Sequence, residues 1–131
     1  LPVRLHVKEQ PKAFERFKAK WTPTLALLDS EGNEQYRIEG FLPADKLLAR
    51  LQLGVAKAAF QRGQFADAEK HFRTVHEQYP DSEAAPEAIY WGAVAAYKAT
   101  GSFQSMGPAG KLLQEKYPQS EWAQKGSVWV R

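Results

Sequence analysis

The chain has 131 residues, of which 44% are apolar and 25% charged, the proportions of an ordinary globular protein. No stretch approaches the roughly 20 consecutive apolar residues that cross a bilayer, and no basic start with an apolar core and small-residue cleavage site is present. There is no cysteine, which removes disulfides, thiolate nucleophiles and zinc–thiolate sites from these residues. The net charge of +3 divides unevenly: residues 1–62 hold 11 Lys and Arg against 7 Asp and Glu, and residues 63–131 hold 7 against 8. Lys8, Lys12, Arg16, Lys18 and Lys20 cluster near the start, but Glu9 and Glu15 interrupt them. That is the pattern of a solvated helix face and not of a nucleic-acid stripe. The opening Leu1-Pro2, without Met and inside a strand pattern, reads as part of a longer protein.

Along the chain, Val3, Leu5 and Val7 alternate with Arg4, His6 and Lys8, so residues 2–8 predict a half-buried strand. Residues 10–20 place Ala13, Phe14 and Phe17 at helical spacing after Pro11. Leu25-Ala26-Leu27-Leu28 is wholly apolar, as a strand covered on both faces would be. Asp29–Asn33 carries turn chemistry, and Glu34–Glu39 returns as the second strand of a hairpin through Tyr36 and Ile38. Pro43-Ala44-Asp45 then opens a helix over 44–61 whose expected apolar stripe is Leu47, Leu48, Leu51, Val55 and Ala58.

Beyond that helix the pattern changes to helices separated by Gly or Pro, and the segment repeats itself. Gly63 and Phe65 recur as Gly101 and Phe103, Tyr79-Pro80 as Tyr117-Pro118, Ser82-Glu83 as Ser120-Glu121, Trp91 as Trp129 and Gly54 as Gly92, each 38 positions on. A period of this length, with two helices and two turns, marks an α-solenoid. Gly54 and Gly92 are expected to admit a close partner helix, Gly63 and Gly101 to turn each helix pair, Tyr-Pro to stop each second helix, and Ser82 or Asp81 to cap the next. The segment resembles tetratricopeptide repeats of the longer form in bacterial envelope and assembly proteins. Gly54, Ala68, Phe72, Val75 and Pro80 match in one copy, and Gly92, Leu113 and Pro118 in the next. It departs at Met106 and Gly110, and Gly107-Pro108 falls inside the expected helix.

Residues 2–54 resemble the C-terminal half of a thioredoxin domain: strand, helix, apolar hairpin and helix, with Trp21-Thr22-Pro23-Thr24 before Leu25–Leu28, followed by Asp29, Gly32 and Gly40. The resemblance implies that Pro23 is a cis proline and that Thr22 pairs with an extended substrate peptide. The family's Cys-x-x-Cys half is not in these residues. The expected architecture is therefore a partial α/β thioredoxin-like fold of three strands over 1–54, its last helix 44–61 continuing into all-α tetratricopeptide-like hairpins over 45–131. One family strand would lie between residues 2–8 and the hairpin. Its absence predicts that the open edges pair with a second copy or with the missing N-terminal segment.

No enzyme site is expected within the chain. His6, His71 and His76 lack the spacing of a zinc pair, and neither a nucleophile elbow nor a phosphate loop is present, so no metal and no cofactor are expected. Tyr90 and Tyr97, seven apart, share a face of the first helix of the second copy, with Val94 and Lys98 beside them. They are candidates for a peptide groove, whereas Trp91 is expected in the core. Two functions follow. One is a protein- or peptide-binding fragment of a thiol–disulfide oxidoreductase-like parent. The other is a non-catalytic adaptor or chaperone-linked scaffold with an inactive thioredoxin-like part. Both imply a protein or peptide partner, no nucleic acid and no membrane insertion, and leave the compartment open between bacterial cytoplasm and periplasm.

Overall fold

A computed structural model of the chain describes residues 24–39 and 43–130. The expected strand over 2–8, the helix over 10–20, and Thr22 and Pro23 lie outside the described residues. Two strands, β1 (Thr24–Leu28) and β2 (Glu34–Glu39), form an antiparallel hairpin, and five helices follow: α1 (Ala44–Gln61), α2 (Phe65–Gln78), α3 (Ala84–Thr100), α4 (Met106–Lys116) and α5 (Glu121–Gly126). Short 3₁₀ turns at Phe103–Ser105 and Ser127–Trp129 precede α4 and follow α5.

Asp29 organises the hairpin turn. Its Oδ1 accepts the N–H groups of Glu31 at 2.9 Å and Asn33 at 2.8 Å, while Asn33 Nδ2 donates to its Oδ2 at 3.2 Å. These bonds, that from the Asn33 backbone foremost, hold the carboxyl below the usual aspartate range. Gly32 supplies the positive φ of +87° that the turn needs. The register sets Leu25 opposite Ile38 and Leu27 opposite Tyr36, with a bulge between Leu27 and Leu28. Ile38 is buried, but Leu25 and Leu28 are 43% and 37% exposed, so β1 is not the doubly covered strand that its composition suggests. Among the described residues the helices meet the sheet chiefly through β2 and α1.

The buried side of α1 is also turned from the expected stripe. Of the expected stripe Ala58 is buried, but Leu48 is half exposed and Val55 is exposed, and Ala49, Leu53, Ala56 and Ala59 complete the buried side. Alanines admit close approach of α2 and α3, and that packing outweighs the larger transfer energy of the leucine positions. The main core joins these residues to Ala68, Phe72 and Val75 of α2 and Ala84, Ala88 and Ala95 of α3. A smaller cluster centres on Ile89, Leu113 and Ala123.

The repetition in sequence is repeated in geometry. Gly63 and Gly101 both take left-handed backbone, at φ +79° and +73°. They close the helices differently. Gln64 donates to Ala59 O and Gly63 to Phe60 O, a Schellman pair, while Gly101 makes the single bond to Tyr97 O at 2.7 Å. Tyr79 and Tyr117 end their helices at nearly the same angles (φ −128° and −134°), each donating to the carbonyl four residues back. Pro108 sits in the first turn of α4, where its missing N–H has no intrahelical partner to lose.

One expected cap fails for a clear reason. Ser120 Oγ accepts Ala123 N–H at 3.1 Å, but Ser82 Oγ donates to Tyr79 O and accepts no cap bond. Gln124 N–H supplies the Ser120 carbonyl, whereas the matching Pro86 has no N–H. Ser82 O therefore takes the N–H of Ala85 instead, at 3.1 Å.

The glycines register what lies against each first helix. A Cβ on Gly92 would stand 3.2 Å from Phe72 Cβ on the preceding helix, but a Cβ on Gly54 would stand 2.6 Å from Tyr36 Cδ1. The close partner of Gly54 is thus the hairpin and not a helix. Gly110, where the sequence departs from the repeat pattern, faces Val130, and a Cβ there would lie 2.7 Å from Val130 Cγ2. The Phe72–Gly92 contact recurs 38 positions on as Gly110–Val130, with the large and small partners exchanged.

Candidate functional site

α3 carries all four residues expected to line a groove, and the structure divides them between two places. Tyr90 stacks on Trp129 with ring centroids 4.6 Å apart and meets Trp122 at 5.3 Å. Trp91 meets Phe60 of α1 at 5.5 Å, and Phe60 meets Phe65 of α2 at 5.1 Å. Tyr90 and Trp91 contact each other edge to face at 5.5 Å. An unbroken row of rings thus runs from the start of α2, across α1 and α3, to the C-terminal turn. Trp91 packs against the main core, and its buried Nε1 has no hydrogen-bond partner among the described residues. Lys125 Nζ lies 4.2 Å from the centroid of Trp122.

Tyr97 and Lys98 lie at the other end of α3. Tyr97 stacks on Phe103 at 4.5 Å with 24° between the rings, and Phe103 is 67% exposed. Lys98 Nζ sits 5.5 Å from the centroid of Phe65. Val94 is half-buried, one turn before Lys98. The platform under Tyr97 and Lys98 is thus built by Phe65 and Phe103, the two residues that follow the left-handed glycines by two positions. The Gly-x-Phe recurrence carried this signal in the sequence, although it points first to a turn.

The turn holding Phe103 is fixed from both sides. Ser102 Oγ accepts Gln104 N–H at 3.3 Å, and Ser105 Oγ donates to Ala93 O at 3.3 Å, tying the 3₁₀ turn to α3.

Away from these rings, α2 forms the wall of two clefts of about 210 Å³ each. The first lies between α2, α3 and α4, with Glu69, Arg73 and His76 on one side and Ala109 and Leu112 on the other. The second lies between β1, α1 and α2, with Leu28, Val55, Arg62, Asp67 and His71. Val55, Ala58, Asp67 and His71 of the second cleft correspond, 38 positions on, to Ala93, Ala96, Ser105 and Ala109 of the first. The hairpin therefore stands against α1 where α2 stands against α3. Arg73 is paired with Glu69 in the first cleft. Burial there pushes His76 below the ordinary histidine range, with Glu77 opposing and Lys116 and Arg73 reinforcing.

Among the described residues no group of three or more His, Asp or Glu is placed to hold a metal ion, and no helix is long and apolar enough to cross a membrane. In the first cleft Ser105 Oγ donates to Ala93 O, and no hydrogen bond joins it to His76 among the described residues. The chemistry these surfaces offer is ring stacking, cation–π contact and apolar burial.

Comparison with curated proteins and comparison with solved structures each return no match. Residues 4–54 match the model of a family described as a thioredoxin-like domain. Within the described residues the match takes in β1, β2 and α1 as far as Gly54. A thioredoxin-like domain is thereby supported over that segment, and the mostly helical remainder follows it.

Proposed function

We propose that the chain is a protein- or peptide-binding module in which a partial thioredoxin-like domain runs into tetratricopeptide-like helical hairpins. The observation that carries this reading is the exposed Phe103 ring stacked on half-buried Tyr97 beside Lys98, on a turn fixed to α3 by Ser105. Scattered exposed apolar side chains need no explanation, but a pre-oriented ring pair with a cation next to it offers area at little entropic cost. Without cysteine the chain has no thiolate to attack a disulfide, so redox chemistry would belong to a parent carrying Cys-x-x-Cys. The thioredoxin-like match favours such an oxidoreductase-like parent; an adaptor with an inactive thioredoxin-like part is the alternative.

The test is selection of random peptides of about 12 residues displayed on phage against the 131-residue chain, followed by anisotropy titration of the enriched peptides. The expected result is binding that weakens at least about tenfold in Tyr97→Ala/Phe103→Ala, a variant whose helical circular dichroism is unchanged. No enrichment over an unrelated helical protein, or binding indifferent to that variant, would overturn the reading.

A further inference from the structure

We infer that the chain forms a symmetric dimer through β1: the β1 strands of two copies pair antiparallel about Ala26 and set Leu25 of each copy at the mouth of the other's second cleft. Among the described residues β1 pairs only with β2, so its outer edge presents a row of backbone N–H and C=O groups. Edges of this kind recruit another strand unless charge, proline or a bulge blunts them. Thr24–Leu28 holds neither charge nor proline. The irregularity of the hairpin falls on β2, where Gln35 is the extra residue, and so it leaves the spacing of β1 regular.

The face beside that edge is apolar and only half covered. Leu25 and Leu27 stand opposite Ile38 and Tyr36, hence on the side of the sheet that meets α1. α1 packs chiefly on β2, so Ile38 is buried while its neighbour Leu25 is 43% exposed. Val55 of α1 is exposed beside the same strand, for it lines the second cleft with Leu27 and Leu28. Leu48, seven residues earlier on α1, extends that exposed stripe.

A second copy fits this face because each copy carries both halves of the contact. Pairing about Ala26 sets Leu25 opposite Leu27 of the other copy, with their Cβ atoms about 5 Å apart on the side shared with α1. Leu27 and Leu28 wall the second cleft, so the leucine protruding from one copy reaches the cleft of the other, and symmetry repeats the contact. The sheet grows to four strands in the order β2-β1-β1-β2, whereas a two-stranded hairpin alone is marginal. The two α1 helices then lie over strands three spacings apart, about 14 Å. Direct helix contact needs about 8–10 Å, and Leu48 and Val55 of both copies fill the difference. Arg62 and Asp67, the ionised residues lining the cleft, are of opposite sign, so like copies meet there without net charge.

Sedimentation equilibrium of the 131-residue chain at about 10–200 μM should show a concentration-dependent dimer. Leu25→Lys places a charge where the side chain is already exposed, and it should raise the dissociation constant at least about tenfold with helical circular dichroism unchanged. The chain has no cysteine, so a single introduced thiol reports the register. Ala26 and Ser30 are both exposed. Ala26→Cys should be joined to a second copy by a short bis-maleimide, because the twofold axis sets these positions about 5 Å apart. Ser30→Cys, more than about 20 Å from its counterpart, should not be joined. A monomer across the whole concentration range would overturn the proposal, leaving the edge to residues 1–23 or to another protein. A dimer indifferent to Leu25→Lys, or one cross-linked equally well at position 30, would overturn the pairing through β1.

Discussion

Replacing Gly54 with Ala should loosen the hairpin from the helices. Alanine is favoured over glycine inside a helix by about 1 kcal/mol, so on propensity alone the change would stabilise. The new Cβ, however, would stand 2.6 Å from Tyr36 Cδ1, 2.9 Å from Cγ and 3.2 Å from Cβ. These atoms are the root of the ring and not the tip of a flexible chain, so β2 itself must withdraw. Overpacking of this kind costs about 1–3 kcal/mol, and contact along the base of the ring places it in the upper part of that range. The expected net destabilisation is about 1–2 kcal/mol.

Gly92 is the matched control. It occupies the equivalent place 38 positions on, and its Cβ would meet only Phe72 Cβ, at 3.2 Å. A shift of a few tenths of an ångström relieves that contact, so the propensity gain and the packing cost should nearly cancel. Urea unfolding followed by far-ultraviolet circular dichroism would compare the two variants, and hydrogen exchange at the β1–β2 amides would report the hairpin directly. Tyr36→Ala in the Gly54→Ala background should recover part of the loss, with a coupling of about 0.5–3 kcal/mol. If Gly54→Ala proved as stable as Gly92→Ala, with hairpin exchange unchanged, the close contact of Tyr36 with α1 would be refuted.

Two further outcomes follow from the same structure. Within α4, Gly107→Ala should be neutral or stabilising by up to about 1 kcal/mol, its Cβ meeting nothing nearer than Trp129 O at 3.8 Å. Gly110→Ala should destabilise by about 1–2 kcal/mol, because Val130 Cγ2 at 2.7 Å and the rigid Gly126 carbonyl at 2.9 Å stand in the way; urea midpoints of opposite sign check the pair. For His76, the folded pKa lies below the unfolded value of 6.5, so the unfolded chain takes up the proton first. This contribution to stability is complete above the unfolded pKa, declines as pH falls below it, and levels off beneath the folded pKa. His76→Gln should therefore flatten the change in urea midpoint between about pH 7.5 and about pH 5.5, and an undiminished pH dependence would count against the burial of His76.

Much of the helical half was legible because its signals are local. A left-handed glycine, a Tyr-Pro stop and a recurring small position act within one turn, and Gly63, Gly101, Tyr79 and Tyr117 behave as their sequence suggests. The hairpin was legible for the same reason, since Asp29 and Gly32 make the turn themselves. What eluded the sequence depends on partners distant along the chain. The stripe of α1 is decided by the alanine faces that α2 and α3 approach, so Leu48 points outward although its hydropathy argues for burial. Ser82 and Ser120 stand in the same motif, and a proline four residues after the first decides which hydroxyl caps. Tyr90 and Tyr97 share a helical face in projection, but Trp129 closes on one and Phe103 on the other.

The exchange of partners at α1 shows how the hairpin and the later helices pack on one element. α1 and α3 each present a glycine, Gly54 and Gly92, to the element that precedes them. For α3 that element is α2, with Phe72 laid on Gly92. For α1 no helix precedes it among the described elements, and Tyr36 of β2 is laid on Gly54 at the matching position. On its other sides α1 contributes Leu53 and Ala56 to the core shared with α2 and α3, and Lys57 Nζ reaches Glu87 of α3 at 2.5 Å. Lys57 also lies 5.7 Å from the centroid of Tyr36, so one side chain touches both neighbours. Twisted sheet and helix present different surfaces, and a residue without a Cβ is what lets either one seat closely. α1 is therefore packed on two sides, against Tyr36 of the hairpin and against α2 and α3. A disturbance of the hairpin reaches the rings on α3 chiefly through the packing of α1.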